Sequence, residues 1–189
     1  QAYDGVPNIE ILASSKHLHI AGSIRMALQH LQEQNSSAIS PSTTEFIYVL
    51  QHDFPFARRI DHLRLRQGMK DFPQQLRCIR FSKKKKNYGK KCFAYHKNGS
   101  SPVDTLPNGL HFSLTRLWSD NNHFTTVSYY QELLQRMQSR NALNMSMEKF
   151  FLPIAKRNCS FWGQHLYGKY EAASRYIKHL DGRRTKETG

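Results

Sequence analysis

With 189 residues, the chain is long enough to bury a hydrophobic core, and it most simply folds as one domain over residues 1–189. Its 28 Lys and Arg residues outnumber 14 Asp and Glu, and the formal charge of +14 favours polyanionic partners such as nucleic acid, phospholipid headgroups or nucleotide diphosphates. No stretch approaches the roughly 18 consecutive apolar residues of a membrane-spanning helix, and no apolar core of a signal peptide is present.

The first part of the chain is predicted to form a βαβ unit. Residues 9–13 are a short apolar strand candidate, and apolar residues then recur at helical spacing over 20–31. Residues 34–44 are rich in Asn, Ser and Pro and are predicted to form a loop. A second apolar strand follows over 46–50. Strand, helix and strand in this order predict two parallel strands joined by a right-handed crossover.

The second strand is the most informative element of the sequence. Five consecutive apolar residues, 46–50, show no polar alternation, which is typical of a strand covered on both faces in a parallel sheet. The run stops at Gln51, His52 and Asp53. In open α/β sheets, ligands bind outside the carboxyl ends of the strands. The sequence therefore predicts a polar site at the end of this strand.

A helix, a strand and a basic insertion are predicted next. Residues 60–69 are predicted to form a second helix. The strand predicted over 76–81 has Arg77 and Arg80 among its apolar residues, as at the edge of a sheet. Residues 82–107 then change composition, with seven lysines followed by Gly, Ser and Pro. We expect this segment to be an exposed basic loop inserted into the domain.

The last third of the chain is predicted to be mainly helical. Apolar residues at helical spacing predict a helix over 126–137 and a shorter one over 147–152 that ends near Pro153. Residues 162–168 begin and end in Trp-Gly and Tyr-Gly, which indicates an aromatic loop bounded by glycines.

The order of these parts resembles a family 2-like glycosyltransferase with the A-type nucleotide-sugar fold. Residues 19–28, His-Ile-Ala-Gly-Ser-Ile-Arg-Met-Ala-Leu, lead into the strand and polar residues of 46–53 as the helix and metal-motif strand do in that family. The resemblance implies an α/β fold with a Rossmann-like, mostly parallel sheet flanked by helices. Nothing here matches the family's first strand and base-binding turn, and the chain begins at Gln1. We therefore expect an incomplete chain that lacks the N-terminal part of the nucleotide-binding half.

The activity that the resemblance implies is transfer of a sugar from a nucleotide-sugar donor to an acceptor hydroxyl, of the hexosyltransferase type. It also implies a divalent cation, Mn²⁺ or Mg²⁺, that neutralises the departing diphosphate. Asp53 matches the last position of the family's D-x-D motif, whereas Gln51 stands at the first position and His52 at the middle one. We place Gln51 and His52 at the substrate. His179 fits the histidine that completes the metal shell in the family.

The resemblance also places a base and an acceptor site in the second half. Glu148 matches the carboxylate that removes the acceptor proton, although Lys149 stands where a second acid is expected. Amide and indole groups suited to a sugar are candidates for the acceptor side: Trp118, Asn121 and Asn122. The donor sugar, the acceptor and the stereochemical outcome remain open.

Two other functions are consistent with the sequence. Residues 83–97 interleave lysines with Tyr88, Phe93 and Tyr95, which is a pattern that can bind single-stranded nucleic acid by phosphate contacts and base stacking. The chain would then be a basic nucleic-acid-binding module. A catalytically degenerate glycosyltransferase relative is the third alternative, because two motif positions depart from the family pattern.

The candidate residues also have plain structural interpretations. Asp53 can be a polar cap at a strand end, and Glu148 can be a first-turn acid that interacts with the helix dipole. Trp118 is by type more often a core residue than a sugar platform. Ser119 and Asp120 can cap the helix predicted to follow them.

Cysteines and sequons leave the cellular compartment open. The cysteine number is odd and lacks metal-ligand spacing, so we expect neither a disulfide framework nor a zinc site from Cys78, Cys92 and Cys159. Four N-x-[ST] sequons have meaning only if the chain passes through a secretory lumen and not the cytoplasm: Asn35, Asn98, Asn144 and Asn158.

Overall fold

A computed structural model describes residues 12–15, 18–37, 45–51, 53–82, 92, 105–168, 175–178 and 180. These residues contain five helices: α1 His19–Ser37, α2 His62–Asp71, α3 Val127–Gln138, α4 Met147–Arg157 and α5 Cys159–Trp162. They also contain five strands: β1 Phe46–Val49, β2 Cys78–Arg80, β3 Phe112–Leu114, β4 His123–Thr126 and β5 His165–Tyr167. None of the described helices is long and apolar enough to cross a membrane. The predicted strand 9–13 falls mostly outside the described residues, as does the basic stretch 83–97 apart from Cys92.

The five described strands form one open sheet in the order β1-β4-β2-β5-β3. β2 and β5 are parallel, whereas the other three neighbouring pairs are antiparallel. The α/β class is therefore confirmed, but the prediction of a mostly parallel sheet is wrong for the described strands. The reason is topological: β4 enters between β1 and β2 and runs against both of them.

β1 is less deeply buried than the sequence predicted. Its four residues are half-buried, and β4 is its only partner among the described strands. Its apolar residues do contact clusters on both faces, with Phe46 and Tyr48 on one side and Ile47 and Val49 on the other. The unbroken apolar run thus reflects two covered faces, but the strand lies at the end of the described sheet and not at its centre.

β2, in contrast, is more deeply buried than the sequence predicted. It was expected at an edge because of its arginines, yet it lies between β4 and β5 with all three residues buried. Arg80, its last residue, is only 8% exposed. A charged side chain at the end of a central strand is costly unless other charges or polar groups face it, and this position contributes to the candidate site described below.

Hydrophobic clusters cover both faces of the sheet. One face packs against α1, α3, α4 and α5 through a cluster that includes Trp118, Tyr129, Tyr130, Leu133, Met137, Met147, Phe151 and Trp162. The other face packs against α2 through a cluster that includes Leu65, Met69, Leu76, Ile79, Phe81, Phe112, Phe124 and Tyr167. The sheet is thus the middle of three layers.

The predicted helices form, but two boundaries and one loop differ. α4 continues through Pro153 to Arg157 because Phe151 and Ala155 are buried on the same face, and this burial outweighs the lost backbone hydrogen bond. α1 extends to Ser37, into the stretch predicted as a loop. The predicted aromatic loop 162–168 contains β5, a strand too short for its pattern to be seen.

A disulfide joins Cys92 to Cys159, so the prediction against disulfides is wrong. Both cysteines are buried and contact Leu114. They lie 67 residues apart in the chain, which is why spacing gave no signal. Gly163 permits this close approach of α5 to the sheet, because a Cβ there would overlap the carbonyl oxygens of Cys159 and Thr115.

Candidate functional site

The carboxyl ends of three strands meet at one edge of the sheet. Val49 of β1 and Arg80 of β2 both lie opposite His123, the first residue of β4, and Arg80 is also in register with Leu166 of β5. The segments that follow β1 and β2, and the segment 118–122 that precedes β4, therefore reach the same edge. This edge is where ligands bind in open α/β sheets, and we call it the carboxyl edge.

The C-terminal segment runs beside the end of β1. The amide of Lys178 donates to the carbonyl of Pro55 over 3.0 Å, and the amide of Leu180 donates to the carbonyl of Asp53 over 2.8 Å. Tyr176 bonds to Ser82 after β2. Lys178 and Leu180 are the chain neighbours of the predicted ligand His179. His179 itself, like His52, lies outside the described residues.

Asn122 holds the turn that contains Asp53. Its side-chain Nδ2 donates to the carbonyl of Phe54 over 2.6 Å, and its Oδ1 accepts from the amide of Gln51 over 2.8 Å. The side chain is 1% exposed. Both of its polar atoms therefore have main-chain partners, and Asn122 positions the turn; its contact with a sugar stays a prediction. Gln51 and Asp53 are half-buried at the ends of this turn.

Of the other two predicted acceptor residues, Trp118 lies in the core and Asn121 lies at the carboxyl edge. Trp118 is 1% exposed, and its ring lies 5.2 Å from that of Phe151, so its indole belongs to the core and has no free face for a sugar. Asn121 is half-buried at the carboxyl edge, where its carbonyl accepts a hydrogen bond from His123. Asn121 therefore lies at the carboxyl edge, and Trp118 lies in the core.

Gln164 fixes the segment before β4. It is fully buried, its Oε1 accepts from the amide of Ser119 over 2.8 Å, and its Nε2 donates to the carbonyl of Ser119 over 2.8 Å. These two bonds resemble the paired hydrogen bonds between residues on neighbouring β-strands. The Ser119 hydroxyl takes no part in them. The Ser119 Oγ donates to Oε2 of Glu148 over 3.3 Å.

Glu148 and Asp120 form a carboxyl pair at this edge. Burial raises the pKa of Glu148 above its ordinary value, and the charge of Asp120 and a hydrogen bond to it raise the pKa further. The Ser119 hydroxyl and Arg80 act in the opposite direction. A negative charge beside a carboxyl group disfavours its ionisation, so Asp120 favours the protonated form of Glu148. Glu148 is therefore the member of the pair whose affinity for a proton is raised by its surroundings.

Arg80 is the cation that faces this pair. Burial lowers the pKa of Arg80, and the negative charges around it oppose that shift. Cys78 contributes little real charge, because burial raises the pKa of its thiol to about 12. The negative charges that oppose the lowering of the pKa of Arg80 are therefore mainly those of Glu148 and Asp120. The Nε of Arg80 is buried and has no hydrogen-bond partner among the described residues.

His123 is a structural member of the same edge. Burial lowers its pKa to about 4, so the imidazole is neutral at physiological pH. Its Nδ1–H donates to the carbonyl of Asn121 over 2.6 Å, which leaves Nε2 to accept from the hydroxyl of Tyr130 over 2.6 Å. The tautomer is thus fixed, and His123 locks the segment before β4 onto α3.

An open groove lies beside the end of β1. It has a volume of about 560 Å³, and its walls come from Tyr48, Leu50 and residues 56–60. These include the exposed Arg58 and Arg59. The groove therefore combines an apolar wall with two guanidinium groups.

The described residues supply part of the predicted cation site. Among them, no group of three His, Cys, Asp or Glu side chains is placed to hold a metal ion. Asp53 is the member of the predicted ligand pair that lies within the described chain, and it contributes one carboxylate at the end of β1. The cation therefore remains a prediction.

Comparison with known proteins gives no relative: neither the models of protein families nor the curated proteins contain a match to this chain.

Three residues of this site were missed by the sequence interpretation. Asp120 was read as a possible helix cap, but Thr126 is the cap of α3, accepting from the amide of Tyr129 over 3.1 Å. Arg80 was read as an edge residue. Gln164 gave no signal, because its partners lie 45 residues away in the chain.

Proposed function

We propose that this protein transfers a sugar from a nucleotide-sugar donor to an acceptor hydroxyl. The observation that carries the proposal is the carboxyl pair Asp120 and Glu148, which shares an edge of the sheet with the turn that contains Asp53. Ligands bind at the carboxyl ends of strands in open α/β sheets, and a carboxylate placed there can remove the proton of an acceptor hydroxyl.

Glu148 is the proposed base. The acceptor hydroxyl gives its proton to the Glu148 carboxylate while the hydroxyl oxygen forms a bond to the anomeric carbon. The bond from that carbon to the diphosphate breaks, and its electron pair leaves on the diphosphate oxygen. The Ser119 hydroxyl orients the carboxylate, and the charge of Asp120 increases the affinity of Glu148 for the proton.

Arg80 is the proposed positioning residue for this pair. Its positive charge opposes the rise in pKa of Glu148 and so favours the ionised form that accepts a proton. Arg80 acts through the carboxyls, and no contact with the sugar is needed.

The proposed donor site is the groove beside the end of β1. Arg58 and Arg59 provide guanidinium groups of the kind that bind phosphate oxygens in pairs. A divalent cation held by Asp53 and His179 would neutralise charge on the leaving diphosphate. Gln51 and His52 remain proposed substrate contacts at the same turn.

The test is transfer from a panel of nucleotide-sugar donors by the full chain and by its Glu148→Gln variant. Removing the base should lower the transfer rate by about 10²- to 10⁴-fold while donor binding is retained. Glu132→Gln is the matched control, because Glu132 pairs with Arg77 away from the carboxyl edge. Equal rates in the two variants, or no transfer by the unaltered chain, would refute the proposal.

The cation is tested separately. Asp53→Ala should abolish Mn²⁺-dependent binding of the donor, and replacement of Lys83, Lys84, Lys85 and Lys86 by Ser should leave it intact. If donor binding needs no metal, the cation assignment fails and transfer stands on Glu148. If no donor binds at all, and the lysine replacement removes oligonucleotide binding that is steeply salt-dependent, the nucleic-acid-binding alternative is correct.

A further inference from the structure

Two features of the chain are unrelated to the carboxyl edge: the disulfide and an exposed sequon. We propose that the protein matures in an oxidising secretory lumen, where the bond between Cys92 and Cys159 forms and Asn144 accepts an N-linked glycan. This inference does not depend on the proposed sugar-transfer activity of the protein itself.

The disulfide is part of the core. Cys92 and Cys159 are 1% and 4% exposed, and their Cα atoms are 5.7 Å apart, at the separation usual for a disulfide. The amide of Cys92 also donates to the carbonyl of Leu114 over 3.1 Å, so the backbone is held in place next to the bond. Such a bond persists in oxidising compartments and is rare in the cytosol.

The sequon at Asn144 lies on the surface. Asn144, Met145 and Ser146 form a turn between α3 and α4, with Asn144 exposed and Met145 45% exposed. The amide of Met145 donates to the carbonyl of Ala142, which holds the turn against the end of α3. A glycan on this side chain extends into solvent without displacing a described contact.

The modification itself is a sugar transfer onto nitrogen. The Asn144 amide nitrogen forms a bond to the anomeric carbon of an oligosaccharide carried on a polyprenyl diphosphate. The carbon–oxygen bond to the diphosphate breaks, the diphosphate leaves with the electron pair, and the transferring enzyme's base takes the amide proton. The donor and the enzyme are those of the lumen in which the disulfide forms.

Asn158 is the contrasting sequon. Its Oδ1 accepts from the amide of Phe161 over 3.3 Å and from the hydroxyl of Ser160 over 2.8 Å, so its side chain caps α5. The middle residue of this sequon is Cys159, which belongs to the disulfide. We therefore expect Asn144 to be occupied in preference to Asn158.

The first test uses the protein purified from the cells that make it. Thiols are alkylated in denaturant without reductant, the sample is treated with an amidase that converts glycosylated Asn to Asp, and peptides are analysed by mass spectrometry. We expect Cys78 to be alkylated, Cys92 and Cys159 to be linked, and Asn144 to be converted to Asp. Alkylation of the two linked cysteines or an unconverted Asn144 would overturn the inference.

The second test is expression of the chain in a eukaryotic secretory pathway. Asn144→Gln should reduce the mobility shift that glycosidase treatment abolishes by the contribution of one glycan. Ser146→Thr is the matched control, because it keeps both the sequon and the hydroxyl that caps α4, and its shift should persist. A shift that is absent from the unaltered chain, or unchanged in Asn144→Gln, contradicts the assignment.

Discussion

Arg77 precedes the short strand β2 and Arg80 is its last residue, so the two arginines lie at opposite ends of the strand. Arg77 pairs with Glu132, and its guanidinium lies over the rings of Tyr129 and Phe161 at 4.6 and 4.4 Å. Arg80 faces a pair of carboxyls instead of one. Arg77 thus faces one carboxyl group, whereas Arg80 faces two.

The two arginines differ in charge balance, and this difference distinguishes a structural ion pair from a candidate functional site. In the matched pair of Arg77 and Glu132, one positive group faces one negative group. Beside Arg80, burial and the charge of Asp120 raise the pKa of Glu148, which increases the affinity of that carboxyl for a proton. Groups that are held in this unbalanced state are typical of functional sites.

The largest expected effect is on acid stability at the carboxyl edge, where His123 lies opposite Arg80. Because burial lowers the pKa of His123 from 6.5 to about 4, its contribution to the free energy of unfolding is present above pH 6.5 and is lost as the pH falls through 4. At pH 4 the loss is on the order of 3 kcal/mol. Urea unfolding measured between pH 7 and 4 reports it.

The His123→Gln variant removes this titration, and its unfolding free energy should depend less on pH over the same range. An unchanged slope would show that His123 does not contribute. His165 is equally buried, and burial lowers its pKa to about 4 as well, so part of the acid dependence should remain in the variant.

The next effect separates the two arginines by activity. Arg80→Met removes the charge that opposes the rise in pKa of Glu148, so less carboxylate is present at neutral pH. The transfer rate there should fall by about tenfold or more, and the pH–rate profile should move to higher pH. Arg77→Met should leave the profile in place. A profile that moves in neither variant would remove Arg80 from the proposed mechanism.

The smallest effect concerns the matched pair. Arg77→Met, Glu132→Gln and the double variant form a double-mutant cycle for which we expect a coupling of about 1 kcal/mol, since both side chains are only partly buried. Chemical unfolding at neutral pH measures each corner of the cycle. A coupling near zero would mean that the rings of Tyr129 and Phe161, and not Glu132, hold Arg77 in place.

Helices could be predicted because apolar residues recur at helical spacing along the face that becomes buried. The spacing of Tyr130, Leu133, Leu134 and Met137 predicted α3, whose bounds differ by one residue from those expected. β2 was placed at an edge because Arg80 looked incompatible with burial. Its neighbours β4 and β5 arrive from 40 or more residues away in the chain, and no local pattern contains them.

The candidate site divides in the same way. The end of β1 was proposed from the sequence because an apolar run that stops at polar residues is a local signal, whereas Glu148 was proposed from the family resemblance. Asn122 was identified with another role, since its two bonds to the turn at Asp53 are visible only in three dimensions.

The sequence by itself determined the helices α1 to α4, the strands β1 and β2, the apolar nature of both faces of β1, and the concentration of polar residues at its end. These follow from periodicity and from the physical preferences of neighbouring residues. The tertiary structure alone decided that β4 runs between β1 and β2, that Cys92 meets Cys159, and that Asp120, Glu148 and Arg80 share an edge. These contacts join residues that are far apart in the chain. They form only when the whole chain folds, so no local sequence pattern predicts them.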